Sequence, residues 1–369
     1  MHKEDLMATA KGPQEEVVQF YASSKRIHPK LAKGRFSNWR IIAVVITQLV
    51  FYVVPWLQWN GRQAVLFDIA ASKFYVFGIT LLPSELIFLT GIMLVSAFGL
   101  FWWTTIAGRL WCGYACPQTV YTEIMLWFDH LFEGDRSKRL KLDKEGWTAH
   151  KIRIKTPKYL VILLFCFWTG FTFAGWFTPI RPQWFELFSF DLSNTQWFTI
   201  VFYGFATWFM AHIMREQVCF YMCPYARFQS AMFDKDTLLV SYDNERGEPR
   251  GARKKNQEAT PLGDCVNCTL CVQVCPTGID IRDGLQYQCI GCGACIDACD
   301  EVMDKIGSPR GLIRYTTEAA LAHEYADKDI KKRLLRPRVL GYGLILFLVS
   351  CGLLYGIFSR DLMNIDIIK

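Results

Sequence analysis

Five stretches of this chain, roughly 41–59, 84–104, 159–178, 197–214 and 339–358, are long and apolar enough to cross a bilayer. At 1.5 Å of rise per residue, a helix needs about 20 apolar residues to span the hydrocarbon core. Inside that core every backbone N–H and C=O must bond within its own element. The fold class expected is therefore an α-helical integral membrane protein. The hydrophobic share of 52%, with 28 Phe and 13 Trp among 369 residues, is concentrated in these runs rather than spread as in a soluble chain. Pro55, near the far end of the first run, is tolerated in a membrane helix. Trp56, Trp59, Trp176 and Trp184 read as interfacial anchors. The first forty residues are polar and charged, with no signal-peptide h-region, so the first run is expected to stay as an uncleaved anchor.

Charge orients the spans. Lys and Arg number eight in 1–40, two in 60–83, ten in 105–158, one in 179–196, eighteen in 215–338 and two in 359–369. Rich segments alternate with poor ones, which puts the N-terminus and 215–338 in the cytoplasm and both short loops and the tail outside. This clustering accounts for the net charge of +7 without nucleic acid.

The chain divides into a cytoplasmic segment 1–40, a four-helix membrane domain 41–224, a linker 225–262, a ferredoxin unit 263–305, a return segment 306–338, a fifth span 339–358 and a short outside tail 359–369. The stretch 243–262 is polar and rich in Gly, Pro and Arg, as a linker should be. Residues 316–336, "TTEAALAHEYADKDIKKRLLR", read equally as an amphipathic surface helix suited to anionic lipid or as a solvated helix.

Fourteen cysteines would suggest disulfides in a secreted chain. Here eight form two runs, Cys265-x-x-Cys268-x-x-Cys271-x-x-x-Cys275-Pro276 and Cys289-x-x-Cys292-x-x-Cys295-x-x-x-Cys299. This is the bacterial two-cluster spacing, in which the fourth cysteine of each run crosses to the other cluster. The expectation is an inserted cytoplasmic two-cluster ferredoxin-like α+β segment. Cys265, Cys268, Cys271 and Cys299 hold one [4Fe–4S], and Cys275, Cys289, Cys292 and Cys295 hold the other. Zinc ribbons also use Cys-x-x-Cys pairs, but they rarely use three cysteines in each of two such runs plus a crossing fourth. Gly291 and Gly293 are expected to let backbone N–H groups approach the sulfurs. Asp300 stands where a proline usually follows the crossing cysteine, and its charge should lower the potential of that cluster.

A quieter motif occurs twice: Cys112-Gly-Tyr-Ala-Cys116-Pro117 and Cys219-Phe-Tyr-Met-Cys223-Pro224, each just after an out-and-back pair of spans. Residues four apart share a helix face, so four sulfurs could converge at the membrane boundary. Proline after the second Cys should break or redirect the helix. Soft thiolates suit Cu(I) or iron–sulfur clusters. Cys112, Cys116, Cys219 and Cys223 are thus candidate metal ligands and candidate catalytic thiols, for copper or for a third iron–sulfur cluster. Met210, Met214 and Met222 could add thioethers, with packing the leading reading, and Cys166 and Cys351 read as packing. His212, inside the fourth span, reads as a histidine bonded to a neighbouring helix ahead of a ligand, and His130 is weaker still. Glu123 and Asp129 are candidate charge partners for Arg109 and Arg215, whose default role is anchoring.

Together, "RLWCGYACPQTVYTE", "CFYMCPYARFQSAMFD", the ferredoxin block and "VPWLQWNGRQAVLFDI" resemble the FixG/CcoG family of bacterial inner-membrane iron–sulfur proteins, encoded with the cbb-type haem–copper oxidase. The resemblance implies a role in oxidase assembly, reducing Cu(II) to Cu(I) for the copper centre. The eight ferredoxin cysteines would store and relay electrons, and the four CxxxCP thiols would meet copper. Copper ions, oxidase-assembly or copper-delivery proteins, membrane lipid and an unidentified electron donor are the partners implied. The implied location is the bacterial inner membrane, with the C-terminus periplasmic. Members usually continue into an immunoglobulin-like outer domain; the short outside tail expected here, 359–369, departs from that pattern and puts any role of an outer domain in doubt. Two other functions fit the residues: a quinol-linked electron conduit feeding a periplasmic partner, as in the similar subunits of periplasmic nitrate reductase systems, and a copper-binding scaffold with structural clusters.

Overall fold

The computed structural model describes residues 26–81, 86–252, 262–326 and 329–359. Residues 1–25 of the N-terminal segment, 253–261 of the linker and 360–369 of the tail lie outside that description. In chain order the helices are α1 (Arg35–Val53), α2 (Leu86–Ala107), α3 (Leu110–Tyr114), α4 (Pro117–Glu133), α5 (Arg136–Lys144), α6 (Ala149–Ala174), α7 (Ile180–Ser189), α8 (Asn194–Trp208), α9 (Pro224–Met232), α10 (Asn244–Gly247), α11 (Leu270–Gln273), α12 (Ala294–Ile306), α13 (Glu318–Leu321), α14 (Ile330–Leu334) and α15 (Pro337–Phe358). Seven short strands, β1 (Gln58–Trp59), β2 (Arg62–Gln63), β3 (Val65–Asp68), β4 (Lys73–Val76), β5 (Ile79–Leu81), β6 (Leu239–Tyr242) and β7 (Ile313–Thr316), complete it. The protein is mostly helical, and among the described residues five helices are long and apolar enough to cross a membrane: α1, α2, α6, α8 with its π-helical continuation to Met214, and α15. It is a multi-pass membrane protein.

The third of these helices begins at Ala149, ten residues before the expected start. The sequence there is rich in Lys and Arg and so reads as loop. The helix continues because Thr148 caps it (Lys151 N to Thr148 Oγ1, 3.3 Å) and because its cations find partners. Lys155 meets Asp143 (3.1 Å), and Lys158 meets Glu133 (2.6 Å) and Asp129 (3.2 Å).

α6 and α8 are the closest packed pair. A β-carbon on Gly204 would lie 2.9 Å from Cys166 O, and one on Gly170 would collide with Ile200 O. With no hydrophobic driving force between helices in lipid, small residues gain dispersion contact by letting backbones approach. Cys166 is buried in this core with Ile162 and Val44. α15 packs on α2, with Trp102 Nε1 donating to Val339 O (2.9 Å). Cys351 is exposed on α15 rather than packed inside.

The loops 54–81 and 175–193 meet at one end of the bundle. Gln63 Nε2 donates to Gly175 O (2.7 Å), Phe67 N donates to Trp176 O (2.8 Å), and Trp56 packs edge-on against Trp184. The cysteine-rich unit sits at the other end. Antiparallel β6 and β7 draw residues on either side of 263–305 into that unit: Val240, Tyr242, Leu312 and Ile313 share a core with Cys265 and Cys271. The stretch 316–336 is not one surface helix. α13 is capped by Thr317 (Ala320 N to Oγ1, 3.2 Å), the backbone turns left-handed at His323 (φ 56°), and α14 follows.

The unit is docked, not tethered. Asp297 of α12 accepts from the backbone N–H groups of Phe36 (3.2 Å) and Ser37 (2.7 Å). A carboxylate from the cysteine-rich unit thereby caps the first membrane helix, satisfying donors that every helix start leaves orphaned.

Candidate iron–sulfur and thiol site

The two cysteine runs interleave in the fold. One cavity is lined by Cys265, Cys268, Cys271 and Cys299, and another by Cys275, Cys289, Cys292 and Cys295, with Cys271 bordering both. Each fourth thiol has joined the other run's set. No three His, Cys, Asp or Glu among the described residues form a group that could hold a single metal ion. A cubane instead needs its thiolates spread around it, and both sets are disposed around a cavity. Gly291 N donates to Cys289 Sγ (3.4 Å), as expected. Gly293 has a different reason to be glycine: its φ is +73°, and a β-carbon there would lie 2.8 Å from the Phe36 ring of α1.

Burial pushes the bare thiols up, Cys289 and Cys299 to about 12 and Cys271 to about 11. Thiolates must gain a positive partner to ionise here, which is what iron provides. These residues fit the cluster chemistry. Asp300 acts electrostatically on Cys299, after burial the leading cause of its shift together with Cys271, and its carboxylate is held by Gly311 N (3.0 Å). Asp300→Asn is therefore expected to stabilise the reduced state of a cluster on that set by on the order of 1 kcal/mol. A potentiometric titration reads this as a raised midpoint.

The CxxxCP motifs do not lie on continuous helices. Cys112 is in α3, while Cys116 is the extended residue before Pro117, the first residue of α4. Cys219 lies in a π-helical turn, Val218–Met222, and Cys223 is the extended residue before Pro224 of α9. Proline is favoured at a helix's first position, and its ring forces the preceding residue out of helical geometry. Each motif is thus a short turn feeding a proline-started helix, and the two repeats converge. Cys219 interacts electrostatically with Cys116, Cys112 and Cys223, and Cys116 with Cys223. Burial first, then these neighbours, push Cys219 to about 12.

This thiol quartet touches the second cavity's loop. Cys112 packs with Ile290 and Cys292. A β-carbon on Gly113 would lie 2.8 Å from Ile290 O and 3.0 Å from Cys292 Cα. Tyr114 Oη donates to Cys292 O (3.1 Å), and Tyr315 Oη to Gly291 O (2.5 Å). We call the Cys275, Cys289, Cys292, Cys295 set proximal and the other distal. Gly113→Leu should wedge the unit off α3; exchange-protected amides at 289–295 should open, and electron transfer between proximal and CxxxCP thiols should slow at least about tenfold.

Several site residues had no sequence signal. Gln229, fully buried on α9, donates from Nε2 to Cys112 Sγ (3.4 Å). Gln118 Nε2 donates to Met210 O (2.9 Å) and Arg215 O (3.0 Å), carbonyls at the π-helical end of the fourth span. Asp129 pairs with Arg215 (2.6 Å), whereas Glu123 pairs with Arg40 (2.5 Å), not Arg109. His212 is fully buried, but its two ring nitrogens have no hydrogen-bond partner, so the expected bond to a neighbouring helix is absent. It meets Tyr159 edge-on instead. Met210 and Met222 are 38% and 50% exposed. His130 lies 3.6 Å from Asp135 at the surface.

A membrane bundle joined to a ferredoxin-type unit, with a further thiol set at their joint, defines a membrane iron–sulfur electron-transfer protein. A model described as a 4Fe-4S dicluster domain matches residues 214–318, and one described as a 4Fe-4S binding domain matches 89–139. The chain belongs to the FixG family. It is 38% identical to nitrogen fixation protein FixG of Rhizobium meliloti (strain 1021), over 94% of this chain and 73% of the relative. It is 39% identical to protein RdxA of Cereibacter sphaeroides, over 94% and 75%. A more distant relative, ferredoxin-type protein NapH of Haemophilus influenzae, is 21% identical over 58% and 67%. No solved structure matches this chain.

Proposed function

We propose that this protein is an inner-membrane oxidoreductase that carries electrons through two [4Fe–4S] clusters to the CxxxCP thiols and there reduces Cu(II) to Cu(I) for assembly of a cbb-type cytochrome c oxidase. The observation that carries this reading is the contact of the Cys112 turn with the Ile290–Cys292 loop, which sets the thiol quartet beside the proximal set. The eight ferredoxin cysteines would hold the clusters, which supply one-electron storage and transfer. Cys112, Cys116, Cys219 and Cys223, which as they stand are not grouped closely enough to hold one ion, would close around the copper ion as substrate, soft sulfur favouring the Cu(I) product. Gln229 orients Cys112, and Asp297 fixes the unit on α1. Cys219 borders a small pocket that is also lined by Arg40, Glu123, Arg215 and Glu216. The Lys and Arg alternation supports a cytoplasmic ferredoxin unit and a periplasmic C-terminus. Product Cu(I) would pass to copper-delivery or oxidase-assembly proteins.

The test is metal analysis with EPR on anaerobically purified protein, followed by Cu(II) addition after cluster reduction. The reading expects about eight Fe per chain and formation of Cu(I). About twelve Fe would make the quartet a third cluster, an outcome favoured by the 4Fe-4S binding model, whose span contains only Cys112 and Cys116 as cysteines. Stoichiometric zinc with no iron overturns the reading.

One observation favours the quinol-linked reading. A cleft of about 1060 Å³ between α1 and α2 is walled by Trp39, Trp102 and Trp103 and floored by Trp111 and Tyr114 of α3. A membrane quinol docked there would stand next to both thiol sets. Rapid cluster reduction by a quinol analogue, with no response to copper, would select this reading over the first.

A further inference from the structure

Arg109 stands where the two thiol sets meet. It immediately precedes α3 and lies three residues before Cys112. Its backbone abuts the proximal loop: a β-carbon on Gly291 would sit 3.3 Å from the Arg109 carbonyl carbon. Its side chain lines a small pocket with Cys289, Gly291 and Tyr315. One terminal nitrogen donates to Ala226 O (2.6 Å) on α9, the helix begun by the second CxxxCP motif. Its Nε is buried without a hydrogen-bond partner, and the residue is only 5% exposed. Among the described residues no carboxylate pairs with it, in contrast to Arg40 and Arg215.

A buried cation with no counter-ion is costly unless an anion stands beside it. After burial, the groups that act most on this charge are the sulfurs of Cys112, then Cys289, Cys219 and Cys223. Three of these belong to the CxxxCP quartet and one to the proximal set. A thiolate-bound centre gains one negative charge on reduction, so a neighbouring cation stabilises the reduced form more than the oxidised form. The far end of the relay carries both signs: Asp300 acts on Cys299, and Arg282, paired with Asp280 at 2.6 Å, acts on Cys271.

We propose that Arg109 is the positioning residue that makes the CxxxCP site the electron sink, so that electrons run from the distal thiols through the proximal ones to the membrane boundary. The inference rests on the copper reading above. In the step it would govern, one electron would leave a cluster held by Cys275, Cys289, Cys292 and Cys295, oxidising that cluster by one unit. The same electron would convert Cu(II) at the CxxxCP thiols to Cu(I), with no proton or covalent bond exchanged.

The experiment is an EPR-monitored redox titration of copper-loaded full-length protein. Arg109→Gln should lower the midpoint of the CxxxCP site relative to the proximal centre. The equilibrium constant for transfer should fall at least tenfold, which is 59 mV for one electron. Arg109→Lys, which keeps the charge, should recover most of the difference, and both variants should retain the iron of the ferredoxin unit. A midpoint unmoved in Arg109→Gln overturns the proposal, as does Arg109→Lys shifting as far as Arg109→Gln. If instead the Cys112→Ser, Cys219→Ser chain binds as much copper as the unaltered protein, it is the copper reading that fails.

Discussion

Replacing Cys112 and Cys219 together by serine is expected to cut Cu(I) formation by more than about 100-fold while leaving the iron of the ferredoxin unit in place. One sulfur is lost from each repeat, so neither motif alone can restore the quartet. The remaining thiols, Cys116 and Cys223, both precede helix-starting prolines and are fixed by that backbone. Serine adds a hard hydroxyl that neither ionises near neutral pH nor suits Cu(I). The measurement is absorbance of a Cu(I)-specific chelator after reduced protein meets Cu(II), with iron counted on the same sample. Undiminished Cu(I) would remove the quartet from the chemistry. Gln229→Leu should act in the same direction by about tenfold, because a partner that orients a ligand typically carries that much.

The second large effect is on stability. Asp129 lies between Arg215 (2.6 Å) and Lys158 (3.2 Å), and all three side chains are at most 3% exposed. Burial alone would raise its pKa, but Arg215 and Lys158 hold it below the ordinary carboxylate range. Asp129→Ala leaves two buried cations under-compensated and should cost about 3–5 kcal/mol, read by thermal or denaturant unfolding in a fixed detergent. Adding Arg215→Met should recover a large part of the loss, a non-additivity that separates a charge effect from a cavity. The pH sign follows from the depressed pKa: the stabilisation is fully present above the ordinary Asp value of about 4 and is lost as pH falls below it toward the folded value. Because Arg215 lies four residues before Cys219, with φ +47°, the second motif should loosen with it. An unfolding midpoint unchanged in Asp129→Ala would show that the network carries no stability.

The spans were legible because apolar length is a local property. The exception, α6, began ten residues early because the partners of Lys155 and Lys158 come from α4 and α5, which no window along the chain brings into view. The ferredoxin pattern was equally legible, since ligand spacing within each run is set by local backbone reach. Gly293 and His212 were misread for the opposite reason. The first is glycine because Phe36, some 257 positions away, packs over it; the second lacks a partner that only a neighbouring helix could have supplied.

By itself, then, the sequence determined the membrane class, the five spans, the two crossed cysteine runs and the doubled CxxxCP motif, because hydropathy and short-range spacing are written within each segment. Only the tertiary structure decided what those parts face. It set the proximal rather than the distal thiols against Cys112, gave Asp297 to the start of α1, and buried Arg109 between two sets of sulfur with no carboxylate partner among the described residues. Those relations join residues about 100 to 260 positions apart, and they exist only once helix packing has fixed which surfaces meet.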